Sequence, residues 1–311
     1  MALQNSVTFL IPCLNEELTI VKVITEIRSQ LPTADILVID NSSTDNTQIA
    51  AKNAGVRVIV EPRKGKGFAT LAGLRGIDTD IVVILDGDLT YDLSTVKAFI
   101  DAISNGFDMV VGNRIATQAS AYRPAHTWGN RAFSMFQQRI LRVEVTDVFS
   151  GYRAMSRSFY KSIVFEAKGF EIETELNVYS AIINAQVLNI DSNYRPRPES
   201  SVSKLNTYRD GMKILGVTLK LFRIWRPSIF FGLTGSIIAT VSLMIFYFPL
   251  SEYLQTGLVS KIPTLVASFI GILTGIIFFL AGVTGQLIIQ SRIESNRAMF
   301  NLFKFLGTNK K

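Results

Sequence analysis

Two aspartates flank one glycine at Asp86-Gly87-Asp88, directly after the apolar run Ile81 to Leu85. Carboxylates held this close repel each other unless a cation or a hydrogen-bond donor lies between them. A hard divalent ion with oxygen ligands, Mg2+ or Mn2+, would neutralise the pair and bridge a diphosphate as well. Such triplets also occur in surface turns; the position after a buried-strand pattern is what favours a metal. Asp40 ends a second apolar run and opens Asn41-Ser42-Ser43-Thr44-Asp45. Its carboxylate suits a helix N-cap, or an acceptor for a nucleobase or ribose. Arg63-Lys64-Gly65-Lys66-Gly67 joins positive charge to a pliable backbone at a helix start, which fits a diphosphate or a solvated basic turn. His126 is the only histidine, so a multi-histidine metal site and a two-histidine relay are both excluded.

The elements that must position these residues are readable as alternating short apolar runs and amphipathic stretches. Val7 to Ile11, Ile36 to Ile39, Val56 to Val60, Ile81 to Leu85 and Met109 to Val111 read as buried strands. Glu16 to Leu31, Thr44 to Ala54, Lys66 to Gly76 and Leu93 to Asn105 read as the helices between them. A repeated βα pattern predicts a largely parallel sheet with helices on both faces. Ligands bind such sheets beyond the carboxyl ends of the strands, where Pro12 to Glu16, Asp40 to Ser43 and Asp86 to Asp88 all fall. One site at one edge is the expectation.

The C-terminal third has another composition. Residues 227–251 and 262–291 contain no Asp, Glu, Lys or Arg, and about 20 apolar residues suffice to cross a bilayer core. Two transmembrane helices are expected, at about Ile229 to Phe248 and Ile262 to Ile289, preceded over 206–228 by amphipathic helices suited to the membrane surface. Lys213, Lys220, Arg223 and Arg226 precede the first span, and Arg292, Arg297, Lys304, Lys310 and Lys311 follow the second. Lys and Arg are retained on the cytoplasmic side, so both termini and the N-terminal domain are expected there, in the cytoplasmic membrane. No signal peptide is legible at the start, and Cys13, the single cysteine, fits a reducing compartment. The formal charge of +7 suits anionic lipid and phosphate ligands. Nothing in the motifs calls for a nucleic acid.

Taken together, Ile11-Pro12, Asn15-Glu16, Val38 to Asp45, Gly65-Lys66-Gly67 and Asp86-Gly87-Asp88 resemble the GT-A domain of glycosyltransferase family 2. Asp147 to Ala154, Gly169 to Glu175 and Ser203-Lys204 are similar to its dolichyl-phosphate mannose synthase and polyprenyl-phosphate glucosyltransferase branch. The resemblance implies an α/β fold with a GT-A domain over 1–205, two membrane helices within 229–290 and a basic tail over 291–311. It implies that Pro12, Asn15, Glu16 and Asp40 hold the nucleotide, with Lys66 near the diphosphate, Glu173 lining the pocket, and Ser203-Lys204 in a loop that closes over the diphosphate. Asp86 and Asp88 would hold Mg2+ or Mn2+. The family often carries Gln two positions after the second aspartate; Thr90 stands here, and Asp92 is the substitute third ligand. Arg114 and Arg131 would meet the acceptor phosphate, for which a guanidinium fork is suited.

The reaction so implied is inverting transfer of a hexose from a nucleotide-sugar to undecaprenyl or dolichyl phosphate, with UDP-glucose the first-choice donor and GDP-mannose the alternative. Asp147 is the carboxylate expected near the nucleophile. A phosphate monoester has its second pKa near ~6 and is already ionised at neutral pH, so Asp147 is read as orienting an arginine or the acceptor. Analogy with the branch also implies a homo-oligomer, a tetramer. A processive polysaccharide synthase would carry a Gln-x-x-Arg-Trp signature, which Gln137-Gln138-Arg139 is not. A catalytically silent membrane scaffold would have no need of Asp86, Asp88, Arg114 and Arg131 together.

Overall fold

The computed structural model describes residues 5–116, 135, 138–139, 143–169, 171–196, 216 and 219–308. The chain divides into two compact units, one comprising Met1–Gly211 with Ser295–Lys311 and the other Met212–Glu294.

In the first unit the strands are β1 (Val7–Cys13), β2 (Asp35–Asp40), β3 (Arg57–Val60), β4 (Ile81–Ile84), β5 (Met109–Ala116), β6 (Arg153–Ser156) and β7 (Val187–Tyr194). Among the described residues they form one sheet in the order β3-β2-β1-β4-β6-β5-β7. β1 pairs in parallel with β2 and β4, β2 with β3, and β5 with β7. β6 lies antiparallel between β4 and β5. That reversal has a functional consequence: the chain entering β6, rather than the chain leaving it, reaches the sheet edge where the carboxyl ends of β4 and β5 lie. Arg153, the first residue of β6, is level with Ile84 and Val111.

The helices of this unit are α1 (Ile20–Gln30), α2 (Thr47–Asn53), α3 (Lys66–Arg75), α4 (Val96–Ser104), α5 (Arg157–Lys161) and α6 (Ile172–Ile182). In α1, Ile20, Val23, Ile24 and Ile27 are buried, the spacing of a single helical face. They share one buried cluster with Phe9 and Ile11 of β1, and their burial contributes about 1.5–3 kcal/mol per side chain. The helix begins at Ile20 rather than Glu16. Asn15 has φ 55, and the Glu16 carbonyl accepts from the backbone N–H of Thr19 and Ile20, so the intervening residues form a turn. The segment Val56 to Val60 is not a buried strand as expected: β3 lies at the sheet edge with a neighbour on one side, and Arg57, Ile59 and Val60 are exposed.

The second unit contains α7 (Pro227–Thr256) and the first part of α8 (Ile262–Thr308). Both are long and apolar enough to cross a membrane, and only 11% and 17% of their most apolar windows is buried, unlike a soluble core helix. α7 continues through Pro249 to Thr256 and stops at Gly257, which is left-handed at φ 71. The expected outer segment Pro249 to Lys261 is therefore helical over its first half. Ser228 Oγ donates to Gln286 Oε1 at 3.1 Å, and the Phe231–Phe278 and Phe246–Phe269 rings meet edge to face, pairing the two helices antiparallel.

The expected basic tail is also helical. α8 runs to Thr308, and from Ser295 onward it belongs to the first unit. There Arg297 Nε donates to the Ile182 carbonyl at 2.7 Å and Lys304 Nζ lies 3.2 Å from Asp108 Oδ1. Phe300 is 3% exposed. Of the expected interfacial helices over 206–228, residues 219–225 are helical and 206–215 lie outside the described residues.

Candidate active site

The carboxyl ends of β1, β2 and β4 bring the first group of residues together. Asn15, left-handed just beyond β1, accepts from the Thr44 N–H on its Oδ1 at 2.8 Å and donates its own N–H to Ser43 Oγ at 3.0 Å. Glu16 N donates to Thr47 Oγ1 at 2.8 Å. Pro12 is level with Ile39 in the sheet. Asp40 is 4% exposed; its Oδ2 accepts from Ser43 N at 3.4 Å, while its Oδ1 is buried without a hydrogen-bond partner. A buried acceptor of this kind is costly unless a donor reaches it, and a nucleobase N–H or ribose hydroxyl would be one. The Cys13 thiol is buried beside this group, at 2% exposure. Burial first, then the carboxylates of Glu16, Asp40, Asp86 and Asp88, push its pKa above the ordinary value.

Asp86 and Asp88 follow β4. Asp88 is 2% exposed, and its Oδ1 accepts from Thr90 N at 3.2 Å and Thr90 Oγ1 at 2.6 Å. The threonine standing where the family often has glutamine thus braces the second aspartate. Lys66, at the start of α3, turns inward: its Nζ is 2.5 Å from Asp86 Oδ1 and 2.7 Å from Glu173 Oε1. Burial disfavours the ammonium, but Asp86 and Glu173 more than offset it and raise the Lys66 pKa above its ordinary value. Gly65 permits this turn with φ 143; a Cβ there would lie 1.9 Å from the Lys168 carbonyl oxygen. Glu171 is the N-cap residue of α6 and Glu173 is in its first turn. A small cavity next to Lys66 is lined by Thr70, Gly151, Arg153 and Glu173.

An ammonium already seated on Asp86 shows that this carboxylate accommodates a cation, and the oxygen donors of Asp86 and Asp88 are those a hard divalent ion takes. Asp92 does not join them. Its carboxylate accepts from Ser94 N at 2.9 Å and Asn193 Nδ2 at 3.3 Å, capping a 3-10 turn (Leu93–Thr95), and lies 3.2 Å from Arg195. Among the described residues no group of three or more His, Cys, Asp or Glu is placed to hold a metal. In this arrangement the Asp92 carboxylate is committed to Ser94, Asn193 and Arg195 rather than to the Asp86 and Asp88 pair.

The second group comes from β5 and the segment entering β6. Arg114 donates through Nε to Asp147 Oδ2 at 2.7 Å and through Nη2 to Oδ1 at 2.8 Å, a bidentate pair with each side chain 18% exposed. Burial would raise the Asp147 pKa, but the Arg114 hydrogen bonds and charge overcome it and leave the carboxyl below its ordinary range. Arg114 also lies over the Tyr194 ring, 5.5 Å from its centroid. Arg131, Ser203 and Lys204 lie outside the described residues.

Two residues tie the groups together, and sequence reasoning missed both. Tyr91 is buried and its hydroxyl oxygen accepts from Gly151 N at 2.8 Å. Burial, then the Asp86 carboxylate, raise its pKa, while Arg114 and Lys66 act in the opposite sense, so its phenol lies in the field of both groups. Arg153 is 1% exposed, donates through Nε to the Ser150 carbonyl at 2.9 Å and through Nη1 to Asn177 Oδ1 at 2.6 Å, and burial pushes its pKa down to about 10. Asn177 in turn donates to the Val148 carbonyl at 3.0 Å. Arg153 and Asn177 so fix the segment that carries Asp147 and Gly151. A Cβ on Gly151 would lie 2.8 Å from Asp86 Oδ2 and 2.9 Å from Lys66 Nζ, so a side chain here would push on the Lys66–Asp86 pair.

The family model for glycosyl transferase family 2 matches residues 8–164. Glycosyltransferase AglJ of Haloferax volcanii is 30% identical over 304 residues, covering 97% of this chain and 100% of the relative. A dolichyl-phosphate hexose transferase of the same organism is 29% identical over 201 residues, 64% of this chain and 86% of that one. Among solved structures, glucosyl-3-phosphoglycerate synthase from Mycobacterium tuberculosis in complex with Mn2+ and UDP-glucose matches with a TM-score of 0.55 at 24% identity, over 70% of this chain and 79% of that chain, which shows a shared fold. With a seven-stranded α/β sheet of this form and a match spanning the strands that build the site, the chain belongs to glycosyltransferase family 2 and is a glycosyltransferase of GT-A fold.

Proposed function

We propose that the chain transfers a hexose from a nucleotide-sugar to a polyprenyl phosphate at the cytoplasmic leaflet, with inversion at the anomeric carbon and UDP-glucose as donor. One observation carries this reading: a single sheet edge holds both a nucleotide-type carboxylate set, Asp40, Asp86 and Asp88, and a carboxylate-braced arginine, Arg114, with Tyr91 in the field of both. The acceptor class is supported by the relative named as a dolichyl-phosphate hexose transferase, and by two helices long and apolar enough to keep the site at a membrane. The donor and the metal are supported by the structural neighbour that holds UDP-glucose and Mn2+.

The orphaned Oδ1 of Asp40 accepts from the base or ribose, and Lys66 faces the diphosphate. Asp86 and Asp88 would hold the divalent ion, which would supply charge neutralisation for the departing nucleoside diphosphate. Arg114 and Arg131 hold the acceptor phosphate. One phosphate oxygen attacks the anomeric carbon as the bond from that carbon to the diphosphate oxygen breaks, and the nucleoside diphosphate leaves. Because the phosphate is already ionised, Asp147 takes no proton; it fixes the plane and direction of the Arg114 guanidinium.

A panel of UDP- and GDP-sugars with undecaprenyl and dolichyl phosphate, read by the mass of the lipid product, tests the proposal. A hexosyl phosphoryl-polyprenol from UDP-glucose is expected. A product from GDP-mannose alone would replace the donor, and product on neither lipid would overturn the acceptor class.

A further inference from the structure

Lys66 is held by two carboxylates that differ in kind. Asp86 is one of the aspartates read above as a metal ligand, and its side chain is 27% exposed; Glu173 belongs to α6 and its side chain is 7% exposed. The ammonium is 2.5 Å from the first and 2.7 Å from the second. The backbone at Gly151 closes over the same point, where a Cβ would crowd Asp86 Oδ2 and Lys66 Nζ. A divalent ion on Asp86 would share its carboxylate with a full positive charge at contact distance, and like charges so placed repel strongly where water is excluded. Glu173 offers the ammonium a place to stay without Asp86.

We propose that Lys66 is a built-in counter-cation which a divalent ion must displace from Asp86, with Glu173 retaining the ammonium, so that the ion is taken up together with a nucleoside diphosphate rather than before it. The inference rests on the donor-and-metal reading of this site and adds an order to it. Without nucleotide, ion and ammonium compete for one carboxylate and uptake is weak. A diphosphate brings negative charge that both cations can share, so competition gives way to mutual support. Linkage requires the converse, that the ion tightens the nucleotide by the same factor.

The test is Mn2+ binding to the purified full-length chain in detergent, followed by the electron paramagnetic resonance of free Mn2+, with and without UDP. No acceptor or turnover is involved, so failure of the lipid-acceptor reading leaves the result interpretable. Without UDP, Lys66→Met should bind Mn2+ about tenfold more tightly than the native chain, the scale of effect a cation exerts on an adjacent carboxylate. The tightening by UDP should be large in the native chain and small in the variant. Lys66→Gln, which keeps a polar group in the pocket, should behave likewise. Lys64→Met removes the same charge from an exposed neighbour and should change Mn2+ binding less than about twofold, since exposed charges are screened. Equal or weaker binding by both Lys66 variants without UDP overturns the inference, as does equal tightening by Lys64→Met. A native chain that takes up no Mn2+ even with UDP overturns the metal reading and this inference together.

Discussion

Arg114 and Asp147 are mostly buried and bonded twice through their side chains, so each depends on the other. Removing the guanidinium strands a carboxylate away from water and costs about 3–5 kcal/mol, so Arg114→Ala confounds stability with catalysis. Arg114→Lys separates them, keeping the charge and losing the fork. Transfer should fall more than about tenfold, the worth of a charge-assisted contact, while donor affinity measured by calorimetry with Mn2+ stays within about twofold. Equal loss of donor binding would move Arg114 to the donor side. Asp147 also makes a pH prediction. Its folded pKa is depressed, so the stability it contributes is complete above the unfolded value of about 3.9 and is lost only as pH falls through the lower folded value. It stays ionised throughout the working range and cannot set an acid limb in the rate. That limb should lie near the acceptor phosphate pKa of about 6. It should keep its position in Asp147→Asn even as the rate falls; a limb that disappears in that variant would make Asp147 a base.

At the scale of elements, legibility followed hydrophobic continuity. β1, β2 and β4 are almost wholly buried, so their runs are unbroken in the sequence and the post-strand residues Asn15, Asp40 and Asp86 could be assigned to one edge. β6 is Arg-Ala-Met-Ser, and its buried Arg153 donates to Ser150, Asn177 and the Met109 sulfur, a contact set that no local pattern announces. The antiparallel sense of β6, and with it the roles of Gly151 and Tyr91, was illegible for the same reason. The C-terminal helix is a further case. Arg297 and Lys304 read as topological charge, yet they hold the Ile182 carbonyl and Asp108 while Phe300 is buried between them in sequence. Phe300→Ala should therefore cost about 3 kcal/mol or more, the usual price of truncating a buried phenylalanine. Leu302, 52% exposed on the same helix, should cost less than about 0.5 kcal/mol as Leu302→Ala. Thermal unfolding in detergent compares the two, and equal shifts would mean that the end of α8 is not docked on the catalytic unit.

For the whole molecule, the proposed reaction requires the catalytic unit to face the cytosol, because nucleotide-sugars are cytosolic. Lys220, Arg223 and Arg226 come just before α7, Arg292 and Arg297 come after the apolar part of α8, and the connection between the helices offers Lys261 beside Glu252. By the positive-inside rule this asymmetry predicts a cytoplasmic catalytic unit with both termini on the same side, the orientation the proposed reaction requires. Arg297 also donates to the Ile182 carbonyl, but the bias does not depend on it, since Lys220, Arg223, Arg226 and Arg292 alone outnumber the basic residues of the connection. The chain lends itself to a direct measurement. Its one native cysteine, Cys13, is 2% exposed, and burial together with nearby carboxylates pushes its thiol pKa up, so it should react slowly with maleimides. Gln255 is exposed near the end of α7, and Asn309 follows the last residue of α8, which from Ser295 on is part of the catalytic unit. In intact cells a membrane-impermeant maleimide should label Gln255→Cys and spare Asn309→Cys, and permeabilised cells should label both. Labelling of Asn309→Cys alone from outside would put the catalytic unit on the far side and cut it off from cytosolic donors, and the proposed reaction would then fail on topology alone, whatever its site residues can do.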